Sequence, residues 1–187
     1  MRTLLVAVVL LIVSAPAFAA DQGTVAYLQG NLTLNGKPAA QGAAVHEGDA
    51  LQTTAGSTAD VVMKSGVRFR LYGNTSLQIP AESFQNPLKL LYGSLLSIVN
   101  KGRKFAVAGR TAVAGVRGTT FFVESAPDRR TYVCICKGKL HLTGADGSDK
   151  GDVASQHHAA FAVDDHSKSD EPMIDHTDAE IAELQAR

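Results

Sequence analysis

From residue 23 to residue 142, apolar and polar positions alternate in short runs broken by glycine. Val25, Tyr27, Leu32 and Leu34 alternate with polar neighbours, and Asn35-Gly36 follows. That dipeptide suits a type I′ hairpin, because both central residues need positive φ. Val61-Val62-Met63 meets Ser65-Gly66, after which Val67, Phe69 and Leu71 alternate with Arg68 and Arg70. Runs at 95–99, 105–108, 119–123 and 132–136 continue in the same manner, and no 3.6-residue period interrupts them. The body is therefore predicted to be all-β, either a short-stranded sandwich or an irregular β-solenoid. A glycine-then-strand echo at Gly30, Gly66, Gly93 and Gly138 is too unevenly spaced to fix a repeat.

The two ends differ from the body. Arg2, the apolar run from Leu4 to Val13 and Ala17-Phe18-Ala19 have the three parts of a secretory signal peptide. The run is far shorter than the roughly 20 residues that span a bilayer, so no membrane segment is expected after cleavage. Residues 1–19 are read as signal peptide, 20–143 as the β domain and 144–187 as a C-terminal extension, and the expected location is the periplasm. Within the extension, Asp146-Gly147 marks a turn and residues 164–171 read as an acidic linker. Thr177-Asp178-Ala179-Glu180 has the capping-box pattern, with Ile181 and Leu184 giving a short helix one small apolar face.

Composition narrows the function. At 45% hydrophobic the chain is not a disordered one, which would lack apolar surface to offset its ordering entropy. Lys+Arg and Asp+Glu are both 18, which excludes a globally cationic nucleic-acid binder. The balance is zoned, however: residues 101–140 hold nine basic residues against two acidic, and residues 141–187 three against eleven. The acidic tail is expected to pack near the basic strands.

Several segments resemble FecR domains. They are Val45 to Thr53 with its Gly48-Asp49, the strand and turn Ala59 to Gly66, and the step Leu91-Tyr92-Gly93-Ser94-Leu95. They also include Ala114-Gly115-Val116-Arg117-Gly118-Thr119-Thr120-Phe121, similar to the family's "VRGT" hallmark, and the closing strand Thr131 to Leu142. The resemblance implies an all-β extracytoplasmic module, best known from regulators that relay an outer-membrane signal to a sigma factor. It makes Gly48, Asp49, Arg117, Gly118 and Thr119 motif positions. Arg117 reads as structural first, satisfying carbonyls or pairing with a carboxylate such as Asp49. A sensing or envelope-interaction role follows, with an envelope protein or small ligand as partner.

The residues that could carry chemistry are few. Cys134 and Cys136, the two cysteines, share one strand face by period 2. Leu140 and Leu142 fall on the cysteine phase, so a bulge or turn at Lys137-Gly138 is predicted. The thiols can be buried and inert, oxidised to each other, or held by a metal. His157-His158 follow after a turn, and Met173 and His176 precede the capped helix. Thiolate, imidazole and thioether are ligands for zinc or copper, so all six are candidate ligands. Consecutive strand histidines point to opposite faces, so one of the two would join the cysteines. The C-x-C, His-His and H-T-D-x-E combination resembles a subset of FecR-domain proteins. No G-x-S-x-G, Walker-type loop or H-E-x-x-H occurs, so a non-catalytic protein is expected. A thiol–disulfide redox protein using Cys134 and Cys136 is the alternative.

Overall fold

The computed structural model describes residues 23–81, 86–125 and 130–187; the segment read above as a signal peptide lies outside them. In chain order the strands are β1 (Gly23–Gln29), β2 (Leu32–Leu34), β3 (Lys37–Ala39), β4 (Ala44–Val45), β5 (Ala50–Thr53), β6 (Thr58–Met63), β7 (Arg68–Leu71) and β8 (Ser76–Gln78). They continue as β9 (Leu88–Ile98), β10 (Lys104–Ala108), β11 (Ala112–Arg117), β12 (Thr120–Ser125), β13 (Thr131–Gly144), β14 (Asp149–Ser155), β15 (Ala159–Val163) and β16 (Lys168–Glu171). One helix, α1 (Asp178–Ala186), ends the chain.

The strands form two sheets. The first has the order β4-β1-β6-β7-β9-β12-β13-β15-β16 and is antiparallel throughout. The second has the order β3-β2-β5-β8-β9-β10-β11-β13-β14, antiparallel except between β9 and β10. The long strands β9 and β13 belong to both, crossing from one sheet to the other at Gly93 and Gly138, with φ of 86° and 125°. A Cβ at Gly138 would sit 2.8 Å from Thr119 Oγ1, so the bend needs glycine for space as well as for φ.

That bend explains the slip in β13. Before it, Val133 and Ile135 join the core; after it, Leu140 and Leu142 do, although they share the cysteine phase. The core draws on both sheets, with Phe69, Leu71, Phe121 and Val133 from the first and Leu51, Leu77 and Leu142 from the second, all fully buried. The architecture is therefore a sandwich with shared strands rather than a solenoid.

The outer face of the first sheet carries a second core of Leu96, Ile98, Phe122, Tyr132, Cys134, Cys136, Ala160 and Leu184. One cross-strand row runs through it, each residue directly opposite the next: Asp60, Arg70, Leu96, Phe122, Cys134, Ala160. Residues 172–187 cover this row. The helix is capped as the pattern predicts: Thr177 Oγ1 accepts from the Glu180 N–H at 3.2 Å, and the Glu180 carboxylate accepts from the Thr177 N–H at 2.8 Å.

Two local readings need correction. Residues 168–171, expected as linker, form the edge strand β16 on β15. The Asp164 carboxylate accepts from the N–H groups of His166 and Ser167, closing a turn that sends the chain back as a strand. Charged side chains suit such an exposed edge. His157 and His158 lie in the turn between β14 and β15, not in a strand.

Candidate metal centre

Period 2 in β13 aims Cys134 and Cys136 at the outer face, where they are 0% and 4% exposed. After the β14 turn the chain returns beside them, and the His158 N–H donates to the Cys136 carbonyl at 3.2 Å. His158 has φ of 39°, a backbone state uncommon outside glycine. Its Nδ1 lies 3.5 Å from Cys134 Sγ and its Nε2 3.0 Å from Asp178 Oδ1. His176 arrives from the tail, 3% exposed, its ring stacked on Phe122 with centroids 4.6 Å apart. Its Nε2 lies 3.4 Å from Cys136 Sγ, and its Nδ1 lies 2.7 Å from the Ile174 carbonyl oxygen.

The donor atoms of Cys134, Cys136, His158 and His176 all lie within 4.8 Å of one another. Each imidazole has its far nitrogen on an acceptor, Asp178 for His158 and the Ile174 carbonyl for His176. Those acceptors take one ring N–H of each histidine and aim its other nitrogen at the sulfurs, where loss of any proton there would free a lone pair for a metal. Outer acceptors of this kind orient metal-ligating histidines. In a tetrahedral zinc site, bonds of about 2.3 Å to sulfur and 2.0–2.1 Å to nitrogen put donor atoms roughly 3.3–3.8 Å apart. A modest contraction would bring the four into that range.

The electrostatics suit a cation. A hydrogen bond from Cys136 draws the Cys134 thiol well below its ordinary value, against burial and with help from His176 and His158. The same bond and burial push the Cys136 thiol up. Burial opposes charge on His158, but its hydrogen bonds to Cys134 and Asp178 outweigh this and raise it. Asp178, accepting from His158, is held below the usual carboxylate range.

Two of the six sequence candidates fall outside the cluster. His157 packs its ring against His158 at 4.6 Å and groups with His158 and Asp178 on the solvent side. Met173 is 45% exposed and lines a shallow cavity beside His158. Asp178 and Phe122 are the participants that sequence reading misses. Asp178 reads as solvated tail, and its one signal is its place in the H-T-D-x-E pattern, two residues after His176 and next to the capping Thr177.

The hallmark positions are structural in different ways. Gly48, with φ of 91°, and Asp49 close a turn in which the Asp49 carboxylate accepts from the His46 N–H and the Asn35 amide, each at 2.7 Å. Gly118 has φ of 75°, and a Cβ there would come 2.8 Å from Lys101 Cα. Thr119 is buried, donating to the Lys139 carbonyl at 2.6 Å and accepting from its N–H at 3.2 Å. Arg117 does not pair with Asp49, whose oxygens the turn already uses. It sits exposed at the end of β11, opposite Lys104, beside an open groove of about 610 Å³ that neither cysteine lines. Basic and acidic zones meet at Arg130 and Glu171, 3.9 Å apart.

Residues 49–141 match the family described as FecR protein. This stretch is a FecR domain. The FecR match includes Cys134 and Cys136, whereas His158, His176 and α1 lie beyond it. Two crystal structures of a candidate anti-sigma factor from Parabacteroides distasonis ATCC 8503, at 1.65 and 2.50 Å resolution, are similar at TM-score 0.53 and 20% identity. Each comparison covers 65% of this chain and 59% of that one, so the likeness is one of fold. No curated protein matches the chain. FecR proteins are envelope-associated, and among the described residues no helix is long and apolar enough to cross a membrane.

Proposed function

We propose that this FecR-domain chain is a non-catalytic periplasmic sensing module that binds one zinc ion through Cys134, Cys136, His158 and His176. The observation that carries the reading is the pair of outer acceptors, Asp178 and the Ile174 carbonyl, which hold the other nitrogen of both histidines facing the two sulfurs. A tetrahedral sulfur-and-nitrogen set fits zinc, and copper(I), which the thiolates also favour, is the competitor. The FecR domain and the candidate anti-sigma factor of similar fold support a regulatory role exerted on a protein partner. The thiol–disulfide alternative is less favoured, because both thiols are buried beneath the docked tail and each faces a histidine nitrogen.

The test is element analysis with native mass spectrometry on untagged protein released from the periplasm. One zinc per chain is expected, lost in Cys134→Ser and Cys136→Ser, with the mature mass starting at Ala20. No bound metal, together with no uptake of added zinc at micromolar concentration, would sink the proposal. Copper in place of zinc would change the metal while keeping the site.

A further inference from the structure

The four donors differ in how they are held. Cys134 and Cys136 sit in a strand paired on both sides by β12 and β15. His158 is tied to that strand by its own N–H. Three donors thus belong to the β body, and His176 alone belongs to the tail.

Apart from His176, the tail is weakly attached. Tyr132 Oη donates to the Pro172 carbonyl at 2.9 Å and accepts from the Ile174 N–H at 3.1 Å. Leu184 is the one fully buried apolar side chain of α1. The ion pairs are Glu183 to Arg70 at 3.1 Å, Arg187 to Asp60 at 3.3 Å and Asp178 to His158 at 3.0 Å, with the tail partners 59%, 36% and 71% exposed. Ion pairs this open to water contribute little. A helix of nine residues is marginal alone, and ordering the whole tail costs entropy at every residue.

We infer that the metal is the latch of the tail: His176 fastens residues 172–187 to the sheet when the site is loaded, and metal loss lets them lift. This rests on the metal reading above. Lifting would uncover Leu96, Phe122 and Tyr132 together with the Arg70–Asp60 pair, a surface of apolar residues ending in buried charges. Metal status is thereby converted into a change of surface that another protein can read, which is what a sensing module requires. Coupling of this kind is reciprocal: whatever the metal contributes to tail docking, docking contributes to metal affinity.

Reciprocity makes the inference testable on the full mature chain. Hydrogen exchange is followed by mass spectrometry with one equivalent of zinc and after dialysis against chelator. Zinc is expected to slow exchange at 181–187 at least tenfold and to leave β5 to β8 unchanged. Leu184→Ala touches no donor, yet it is expected to weaken zinc affinity at least fivefold. His176→Ala is expected to keep weaker zinc binding on three donors while tail exchange becomes indifferent to zinc. Zinc binding at one per chain with unaltered tail exchange would overturn the latch and leave the metal site standing. Unchanged zinc affinity in Leu184→Ala would do the same. Failure of the parent chain to bind zinc would overturn both.

Discussion

Phe122 joins the fold to the candidate site, and its truncation tests both. The side chain is fully buried and lies edge-on to Tyr72 and Tyr132, with centroids 5.8 and 6.0 Å away, while His176 stacks on its face. Phe→Ala in a packed core costs about 3–5 kcal/mol in all, and rings with aromatic partners belong in the upper part of that range, since each pair is worth roughly 0.5–1.5 kcal/mol beyond area burial. With two such pairs, Phe122→Ala belongs near 4–5 kcal/mol, or about 8–20 °C in Tm at roughly 2–4 °C per kcal/mol for a domain of this size. Phe122→Leu keeps most of the volume and should cost less than about 1.5 kcal/mol. Leucine offers no flat face to the His176 ring, however, so zinc affinity should fall in both variants. Urea unfolding in chelator isolates the packing cost, and a chelator competition reads the affinity. A cost below about 1 kcal/mol for Phe122→Ala would refute a packed second core. Undiminished zinc affinity in Phe122→Leu would refute the role of the ring as a platform.

The remaining predictions address metal, charge and backbone. Zinc at 100 times its Kd should stabilise the chain by about 2.7 kcal/mol, raising Tm by roughly 5–11 °C in a scanning calorimeter, and Cys136→Ser should abolish the shift. Arg70→Met leaves the fully buried Asp60 with only the more exposed Arg187 and should cost about 3–5 kcal/mol, whereas the double change Asp60→Leu/Arg70→Met should recover most of it in denaturant unfolding. A single variant as stable as the parent would contradict the buried pair. Gly138→Ala should lose about 1–3 kcal/mol by the same measurement, because φ is 125° and the new Cβ meets Thr119.

Much of the fold was legible because it is local. Alternation predicts which face each side chain takes, Asn35-Gly36 turns the β2–β3 hairpin with φ of 52° and 75°, and Thr177 with Glu180 caps α1. The hallmark segments identified the family for the same reason, since each is a turn or strand spelled by its own residues. The phase slip at Gly138 was readable too, but not its consequence, that β13 leaves one sheet for the other. The edge strand β16 was missed because its residues are charged, and what recruits them is the free edge of β15.

The site divides in the same way. By itself the sequence determined that Cys134 and Cys136 share a face, since period 2 needs no partner. That one of two adjacent histidines would join them was read from strand alternation, whereas both lie in a turn. Only the tertiary structure decided that His158, 24 residues from Cys134, and His176, 40 from Cys136, converge there with Asp178 behind one of them. A local pattern encodes direction but not distance. Distance was settled by the bend at Gly138, the return through β14 and the tail crossing Phe122, each a matter of which faces bury one another.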